Sequence, residues 1–353
     1  MIVTLIGARP QFVKAAVVSK AFIEQSIPEI IVHSGQHYDE RMSNIFWEEL
    51  GIPKPLYNLN IGSGSHAVQT AGMMVGLEQI INRLQEKPRA VLLYGDTNTT
   101  VAGSLVAAKL HIPIIHIEAG LRSFNKTMPE EVNRVVTDHL SDLLFCPSEA
   151  SVKQLTKEGI SQNVYNVGDV MYDSFLTFSA LAKKLDPSDV VVNISLPFTL
   201  LTLHRPVNTD NKETLSQIFS QLALLPMQII WPLHPRNRNH IKDLTIPENI
   251  QITDPFSYLE MLLMLEKCSA VVTDSGGLQK EAYWAKKPCF TLRSETEWVE
   301  TLEGGWNRLI SIQGDELSEK FGIYPHSNWK PLYGNGKAAN EIAAIIKKYY
   351  YQA

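Results

Sequence analysis

Short apolar runs alternate with longer segments of helical spacing along almost the whole chain of 353 residues. This alternation is typical of βα units, in which parallel strands lie buried between helices. A first series of predicted strands comprises residues 2–6, 30–33, 90–94, 114–117 and 143–146. A second series comprises residues 198–203, 228–231, 250–252, 270–273 and 288–292. The sequence therefore predicts an α/β fold with two doubly wound parallel sheets.

A chain of this length exceeds what one hydrophobic core usually organises, so we expect two domains. The first Rossmann-like domain is predicted over residues 1–168 and the second over residues 169–336. The last segment, residues 337–353, has apolar residues at roughly helical spacing. We expect it to form a closing helix that completes the first domain.

Composition and charge exclude several classes of partner. The formal net charge is −5 at pH 7 and the pI is near 6.1, so the chain lacks the basic surface that dominates nucleic-acid binding. No apolar run approaches the roughly 18 residues of a membrane-spanning helix, and residues 1–6 predict a strand rather than a signal peptide. The three cysteines lack CxxC spacing, which favours a reducing cytoplasm. We expect a cytoplasmic protein without nucleic-acid or membrane partners.

Two cations follow the first predicted strand. Arg9 stands in the loop that begins at Gly7, and Lys14 lies one turn into the next helix. Ligands of open parallel sheets bind beyond the carboxyl ends of the strands. These two cations are therefore placed to bind phosphate. A solvated arginine on a surface turn is the alternative interpretation of Arg9.

Three carboxylates are expected at the same edge of the first domain. Asp96 and Glu118 each follow a predicted strand, and Glu130 opens a predicted helix after Pro129. Taken singly, Asp96 can also be explained as a helix N-cap, and Glu130 as a favourable charge near a helix N-terminus. Taken together, they predict general acid and base roles on opposite faces of one substrate.

The second domain has two histidines after successive strands. Arg205 follows His204, and Arg236 follows His234 at a distance of two residues. Single histidines often form hydrogen bonds in a core, but two at equivalent loop positions predict ligand contact. No set of histidine, cysteine and acidic residues has the spacing of zinc ligands, so we predict no metal site.

The most specific local motif is Thr-Asp-Ser-Gly-Gly-Leu-Gln-Lys-Glu at residues 273–281. Gly276 and Gly277, beside Ser275, would leave backbone N–H groups free at a helix N-terminus, where a diphosphate binds well. Glu281 lies one turn further on, placed to accept hydrogen bonds from ribose hydroxyls. A tight turn alone would explain the two glycines but not the whole motif.

A dinucleotide-binding fingerprint is also present but weak. Residues 62–67 match G-x-G-x-x-A, yet no strong strand precedes them and no acidic residue follows near the required distance. We therefore do not expect NAD, and we predict no other cofactor.

The chain resembles the non-hydrolysing UDP-N-acetylglucosamine 2-epimerases over nearly its full length. The resemblance rests on six motifs in register, namely Gly7-Ala8-Arg9-Pro10, Gln36-His37, Gly95-Asp96-Thr97, Glu118-Ala119-Gly120-Leu121-Arg122, Pro129-Glu130-Glu131 with Asn133-Arg134, and Asp274-Ser275-Gly276-Gly277. It implies the glycosyltransferase-B fold, in which two Rossmann-like domains face a cleft. In that fold UDP would be held mainly by the second domain, with the sugar facing the first.

The same resemblance implies roles for individual residues. The catalytic acids of the family match Asp96, Glu118 and Glu130, and His204 and Arg9 match assisting positions. Substrate and UDP binding falls on Lys14, Arg134, His234, Ser275, Gly276, Gly277 and Glu281. Arg236 is added to this set from its place in the loop after His234. The implied reaction is anti elimination of UDP to a 2-acetamidoglucal, followed by re-addition with C2 inverted. A homodimer is expected.

Two departures from the family pattern resemble the subgroup that acts on UDP-2,3-diacetamido-2,3-dideoxyglucuronate. Residues 296–300 read Thr-Glu-Trp-Val-Glu where many members have Thr-Glu-Arg-Pro-Glu, and Gln11 replaces a usual glutamate. We interpret Gln11 as a neutral hydrogen-bond donor to the C6 carboxylate of the sugar, which a glutamate would repel. The alternative is a solvent-facing Gln11 and a Trp298 that only repacks a helix. An activator site of many relatives differs here at Ser65 and His66.

Three other functions fit parts of the pattern. A glycosyltransferase of the same fold also binds a UDP-sugar, but it needs fewer acids around the sugar. A hydrolysing 2-epimerase releases UDP and free N-acetylmannosamine, and its relatives tend to have Gly-Asp-Arg where this chain has Gly95-Asp96-Thr97. A non-catalytic nucleotide-sugar sensor has no use for three carboxylates. The sequence therefore favours C2 epimerisation.

Overall fold

The computed structural model describes residues 1–35, 50–191, 194, 197–312, 316–323 and 325–352. The motif Gln36-His37 lies outside these residues. The chain forms two compact units, of which one comprises Met1–Leu176 with Pro331–Ala353 and the other Thr177–Lys330. No helix in the described ranges is long and apolar enough to cross a membrane.

The first unit contains a parallel sheet of seven strands. They are β1 (Ile2–Ile6), β2 (Glu29–His33), β3 (Tyr57–Asn58), β4 (Ala90–Tyr94), β5 (Ile114–Ile117), β6 (Leu143–Cys146) and β7 (Val164–Asn166). Their order in the sheet is β3-β2-β1-β4-β5-β6-β7, with every pair parallel. The order reverses between β1 and β4, and the carboxyl ends of these two strands are where a doubly wound sheet binds its ligand.

Helices connect these strands and cover the sheet. They are α1 (Arg9–Glu24), α2 (His66–Arg83), α3 (Asn98–Lys109), α4 (Pro129–Leu140) and α5 (Glu149–Lys157). Strands β1, β4, β5 and β6 are buried along their whole length, as expected for a parallel sheet covered on both faces. Apolar side chains of sheet and helices, among them Leu5, Leu93 and Val106, form one buried cluster.

The second unit contains a parallel sheet of six strands. They are β8 (Phe198–Thr202), β9 (Gln228–Pro232), β10 (Ile250–Thr253), β11 (Ala270–Thr273), β12 (Cys289–Thr291) and β13 (Asn307–Leu309). Their order is β10-β9-β8-β11-β12-β13, again with parallel pairs. The two sheets thus repeat one topology, and the order of the second reverses between β8 and β11.

The helices of the second half follow the same alternation. They are α6 (Val170–Ala182), which spans the division between the units, α7 (Pro187–Val190), α8 (Pro206–Thr209), α9 (Lys212–Ala223), α10 (Tyr258–Lys267), α11 (Gly276–Trp284), α12 (Glu316–Lys320) and α13 (Ala338–Tyr351). Among the described residues, 3-10 turns occupy Pro235–Arg238 and, interrupted by a kink at Glu303 and Gly304, Val299–Gly305. The core of the second unit is an apolar cluster around Trp231, Phe219 and Phe290.

The closing helix α13 packs against α1 of the first unit. Its apolar residues Ile342 and Ile346 are buried, in keeping with the predicted spacing. The Asp173 carboxylate of α6 accepts a hydrogen bond of 2.8 Å from the backbone N–H of Ala339. Burial raises the pKa of Asp173 to about 6, against the opposing effect of the backbone hydrogen bonds. A carboxylate thus anchors the first turn of the closing helix.

Every predicted strand is present, and β1, β4, β5, β6 and β11 have the predicted limits. The sequence pattern missed β3, β7 and β13, which are two or three residues long and lie at sheet edges. An edge strand packs on fewer neighbours, so it needs no long apolar run and leaves little signal in the sequence.

Candidate active site

The loops after β1 and β4 are joined by the side chain of Gln11. Its Oε1 accepts hydrogen bonds from the N–H groups of Gly7 and Ala8 at 2.8 and 3.0 Å. Its Nε2 donates to the Tyr94 carbonyl at 2.8 Å and lies 3.1 Å from Thr97 Oγ1. Only 2% of Gln11 is exposed. Both the interpretation of Gln11 as a donor to the sugar and the solvent-facing alternative are wrong, because its amide is used inside the protein.

Lys14 and Glu118 form a buried ion pair between Nζ and Oε2. Glu118 has a φ of +74°, a left-handed conformation that is uncommon for residues other than glycine. The backbone is held there because the N–H groups of Glu118 and Ala119 both donate to the Phe145 carbonyl. A Cβ on Gly95 would lie 3.2 Å from Glu118 Oε2. Such an unusual conformation at a strand end is typical of functional sites.

Asp96 pairs with Arg134, another predicted cation of this unit. Arg134 Nη2 lies 2.5 Å from Asp96 Oδ2, and Nη1 lies 3.0 Å from Glu131 Oε2. Asn133 donates a hydrogen bond of 2.9 Å to the Asp96 carbonyl. The N-cap of α3 is Thr97, so the alternative of Asp96 as an N-cap is wrong. The Asp96 side chain keeps 28% exposure, which leaves it accessible to a ligand.

The two glutamates at the start of α4 have different surroundings. Glu131 is buried and accepts hydrogen bonds of 2.8 and 2.9 Å from the N–H groups of Ser123 and Phe124. Burial alone would raise the pKa of Glu131, but these bonds and Arg134 hold it below its ordinary value. Glu130 is exposed. Glu131 therefore has a structural role, whereas Glu130 remains the member of the pair that is predicted to act in the reaction.

A buried polar network behind these loops was not predicted. His116 Nδ1 lies 2.7 Å from Asp138 Oδ1, and Nε2 lies 2.8 Å from the Gly95 carbonyl. The other oxygen of Asp138 accepts from Gly120 N and Arg122 Nη1 at 3.1 and 2.6 Å. Burial would raise the pKa of Asp138, but His116 and Arg122 hold it below its ordinary value. A histidine inside the apolar run of β5 was the available signal.

The predicted residues of the first unit therefore form two ion pairs, and Arg9 and Glu130 lie outside these pairs. The structure brings Lys14 to Glu118 and Arg134 to Asp96. Arg9 is the first residue of α1 and comes after the two loop residues that follow β1. The carboxyl ends of β1, β4 and β5 lie side by side in the sheet, so these loops share one edge.

In the second unit, His204 follows β8 and pairs with Asp274, which follows β11. His204 Nδ1 lies 3.0 Å from Asp274 Oδ1. Burial would raise the pKa of Asp274, but hydrogen bonds from His204, the Arg205 N–H and Asn208 hold it below its ordinary value. Asp274 belongs to the predicted motif, but no role was predicted for it.

In the glycine turn that follows Asp274, the space beside Gly276 is filled and the space beside Gly277 is open. Ser275 is the N-cap of α11, and its Oγ accepts from Leu278 N at 3.3 Å. A Cβ on Gly276 would lie 2.5 Å from Glu297 Oε1, whereas a Cβ on Gly277 would meet only Ser275 Oγ, at 4.0 Å. A side chain at position 276 would thus displace Glu297, whereas one at position 277 has room inside the unit. The N–H groups in the first turn of a helix lack helical partners, so an anion can approach closely at Gly277.

Arg293 is a further cation beside this turn that sequence reasoning missed. Its Nη2 pairs with Glu297 Oε2 at 2.9 Å. Its Nη1 is buried without a hydrogen-bond partner among the described residues and lies 3.8 Å from the position of a Cβ on Gly276. Arg293 is 7% exposed. Its place two residues after β12 was the available signal, since the same rule selected Arg9.

The remaining predicted residues of this unit lie around α11 and β9. Glu281 is buried, and its Oε1 accepts a hydrogen bond of 3.0 Å from the Tyr258 hydroxyl. His234 follows β9 and is exposed. Arg236 lies in the 3-10 helix Pro235–Arg238, but its side chain is outside the described part of the chain.

Trp298, where the sequence departs from the family pattern, packs inside the second unit. Lys280 of α11 places its Nζ 3.6 Å from the centroid of the Trp298 ring, a cation–π contact. Both residues are buried. The segment thus repacks α11, as the alternative interpretation expected. Within the described residues no group of three or more histidine, cysteine or acidic side chains is arranged to hold a metal ion.

Comparison with known proteins gives consistent matches. A family model described as UDP-N-acetylglucosamine 2-epimerase matches residues 21–347. The UDP-2,3-diacetamido-2,3-dideoxy-D-glucuronate 2-epimerase of Pseudomonas aeruginosa is 48% identical, over 98% of this chain and 99% of that protein. The crystal structure of Methanocaldococcus jannaschii UDP-GlcNAc 2-epimerase in complex with UDP-GlcNAc and UDP has a TM-score of 0.90 and 40% identity, covering 98% of this chain and 99% of that one.

A more distant structure shows the fold alone. The glycosyltransferase SnogD from Streptomyces nogalater has a TM-score of 0.58 at 13% identity, covering 98% of this chain and 99% of that one. The two parallel sheets and these matches confirm the predicted α/β fold of the glycosyltransferase-B type.

Proposed function

Because the chain belongs to the UDP-N-acetylglucosamine 2-epimerase family, we propose that it inverts C2 of a UDP-2-acetamido sugar and returns the product with UDP still attached. The observation that supports this most is the set of acids at one edge of the first sheet. Asp96 and Glu118 are each held by a cation, and Glu130 stands exposed nearby in sequence. A UDP-binding protein without chemistry at the sugar has no need of such a set.

The chemistry of the substrate dictates the proposed route. The C2 proton is not α to a carbonyl, so simple removal and return is too slow. Elimination solves this problem, since the C2–H electrons form the C1=C2 bond of a 2-acetamidoglucal while the C1–O electrons leave with UDP. Re-addition of UDP with protonation on the opposite face of C2 gives the epimer.

Inversion requires proton transfer on both faces of C2, and hence at least two acid–base groups. We assign this task to Asp96, Glu118 and Glu130 collectively. Lys14 and Arg134 position two of them through the ion pairs described above. Side chains held in one geometry lower the cost of reaching the transition state.

The leaving UDP needs donors that stabilise its diphosphate. We assign this task to the turn at Ser275, Gly276 and Gly277 of the second unit, with His204 of the same unit assisting. The open approach at Gly277 and the buried Arg293 beside the turn support this placement. Glu281 and His234 are proposed to bind the nucleoside part, as is Arg236.

We further propose that the preferred sugar is the 2,3-diacetamido uronate. Support comes from the full-length identity of 48% to an epimerase named for that substrate. Gln11 gives no support, because its amide is occupied within the protein.

The direct test is incubation of the purified chain with UDP-N-acetylglucosamine and with its diacetamido uronate analogue, followed by NMR of the products. The proposal predicts a C2 epimer that is still linked to UDP. Free UDP with a free sugar would indicate a hydrolysing enzyme instead. Turnover only when an acceptor sugar is added would indicate a glycosyltransferase.

A further inference from the structure

We propose that Asp274 is a positioning residue for the reaction: it holds His204 in the tautomer that carries its hydrogen on Nδ1 and so turns Nε2 toward the ligand. The part of His204 in catalysis rests on the proposed function. The orientation of its ring by Asp274 does not, because it concerns contacts inside the second unit.

The two residues meet at the point where the order of the second sheet reverses. His204 follows β8 and Asp274 follows β11, and these strands are neighbours. Ligands of doubly wound sheets bind beyond the carboxyl ends at this point. Asp274 also precedes Ser275 directly, so one residue connects the histidine loop with the glycine turn.

Asp274 is completely buried, and its carboxylate organises the whole histidine loop. The N–H of His204 lies 3.1 Å from each carboxylate oxygen. The Arg205 N–H and Asn208 Nδ2 each donate to Oδ2 at 3.0 Å. Arg205 Nε donates to the Asp274 carbonyl at 3.1 Å. These hydrogen bonds therefore hold the carboxylate in place independently of its contact with the imidazole.

The contact between the side chains determines the tautomer. An ionised carboxylate can only accept hydrogen bonds, so Nδ1, at 3.0 Å from Oδ1, must carry the hydrogen. The His204 side chain is 48% exposed, and its Nε2 has no hydrogen-bond partner among the described residues. When the ring is protonated, Nε2–H can donate to an oxygen of the departing diphosphate, and Asp274 stabilises the resulting positive charge. When UDP returns, the same atom donates again.

A loop support alone would not need this arrangement. Hydrogen bonds from backbone N–H groups and Asn208 already attach the loop to Asp274. The bond to Nδ1, in contrast, acts only on the imidazole. An asparagine at position 274 would present a donor as well as an acceptor, and it would admit the wrong tautomer. Such a change in other aspartate–histidine pairs lowers turnover by orders of magnitude while the fold is kept.

The experiment uses the full chain labelled with ¹⁵N-histidine, observed by NMR with the rings neutral and with UDP added in steps. Wild-type His204 should show a protonated Nδ1 and an unprotonated Nε2, and the Nε2 signal should shift on addition of UDP. Asp274→Asn should move the population toward the Nε2–H form and lower kcat by about 100-fold. The KM for the UDP-sugar should change much less.

A matched control is Asp210→Asn, since Asp210 is an aspartate of the same unit that lies 3.9 Å from a different histidine, His240. This variant should leave the His204 signals and kcat unchanged. The wild-type spectrum tests the proposal even if Asp274→Asn does not fold. An Nε2–H tautomer in the wild-type protein, or an Asp274→Asn variant with unaltered tautomer and turnover, would overturn it. Absence of epimerase activity in the wild type would contradict the proposed function but leave the tautomer measurement valid.

Discussion

At the scale of single residues, the acids of the first unit are distinguished by what surrounds them. Glu131 is saturated by backbone donors and Arg134. Asp96 and Glu118 each form an ion pair with a cation. Their neighbour in sequence, Glu130, is exposed. Position after a strand was enough to select candidates, but only the surroundings separate a structural carboxylate from one that is available for proton transfer.

We predict that Asp96→Asn, Glu118→Gln and Glu130→Gln each lower kcat by about 100-fold or more, which is the usual effect of removing a general acid or base. Substrate affinity should change less. The measurement is steady-state kinetics, with circular dichroism to confirm folding because Glu118→Gln removes a charge that pairs with buried Lys14. Glu213→Gln is the control, since Glu213 is likewise exposed in the first turn of a helix. Turnover near the wild-type value in any of the three variants would return that residue to a structural role.

The pairing of these residues was beyond reach of the sequence. Lys14 and Glu118 are 104 positions apart, and nothing in the local pattern indicates that they touch. The error at Gln11 has the same origin. A polar residue at the right loop was read as a ligand contact, but the Tyr94 carbonyl and neighbouring hydroxyls bind it from a distant part of the chain.

At the scale of elements, the N-terminus of α11 separates two glycines that look equivalent in sequence. The Glu297 side chain lies in the space that a Cβ on residue 276 would need, whereas the space beside Gly277 is open. Sequence alone selected both as phosphate contacts, because a Gly-Gly turn before a helix gives no indication of which glycine packing requires.

We predict that Gly277→Ala folds normally and weakens UDP binding by tenfold or more, about 1.4 kcal/mol. Its stability should be unchanged or slightly higher, since alanine loses less backbone entropy than glycine on folding. Gly276→Ala should instead destabilise the protein by about 1–3 kcal/mol, because its Cβ displaces Glu297 from the ion pair with Arg293. Thermal unfolding and UDP titration measure both effects. Wild-type UDP affinity in Gly277→Ala would contradict the diphosphate assignment.

The contact between α6 and the closing helix α13 gives a pH-dependent prediction. Burial raises the pKa of Asp173 to about 6, so the folded state binds this proton more tightly than the unfolded chain. The contribution of Asp173 to the free energy of unfolding therefore falls as the pH rises from about 4 to about 6, and it is constant above.

Asp173→Asn should remove this dependence. The free energy of unfolding of the variant minus that of the wild type should rise between about pH 4 and pH 6 by up to about 3 kcal/mol. Denaturant titrations across this range measure the difference. Hydrogen bonds from Ser188 hold the pKa of Asp186, an exposed N-cap, below its ordinary value. The control Asp186→Asn should therefore give a difference that falls or stays level, and does not rise, over the same interval. A flat difference for Asp173→Asn would show that burial does not raise the pKa of the Asp173 carboxyl group.

At the scale of the whole molecule, two sheets of one topology carry different parts of the proposed chemistry. The first holds the acids and the second holds the glycine turn. The alternation of apolar runs predicted the two parallel sheets because buried parallel strands leave a strong signal. The short edge strands β3, β7 and β13 left none. The predicted homodimer is an expectation that light scattering would test.

We predict a higher kcat/KM for the UDP-2,3-diacetamido uronate than for UDP-N-acetylglucosamine. The comparison is made with both sugars under one set of conditions. Gln11→Glu should leave the ratio unchanged, because Gln11 is buried and bonded to the protein. Equal or better use of UDP-N-acetylglucosamine would contradict the substrate assignment, and a ratio altered in Gln11→Glu would contradict the role assigned to Gln11.

Elimination and re-addition of UDP is the central claim, and a single turnover in D2O tests it most directly. The proton removed from C2 passes to a side chain that exchanges with solvent before UDP returns. The epimerised product should therefore carry deuterium at C2, seen by NMR as loss of the H2 signal and by mass spectrometry as a gain of one unit. Epimerised product that retains its C2 hydrogen completely would contradict the account.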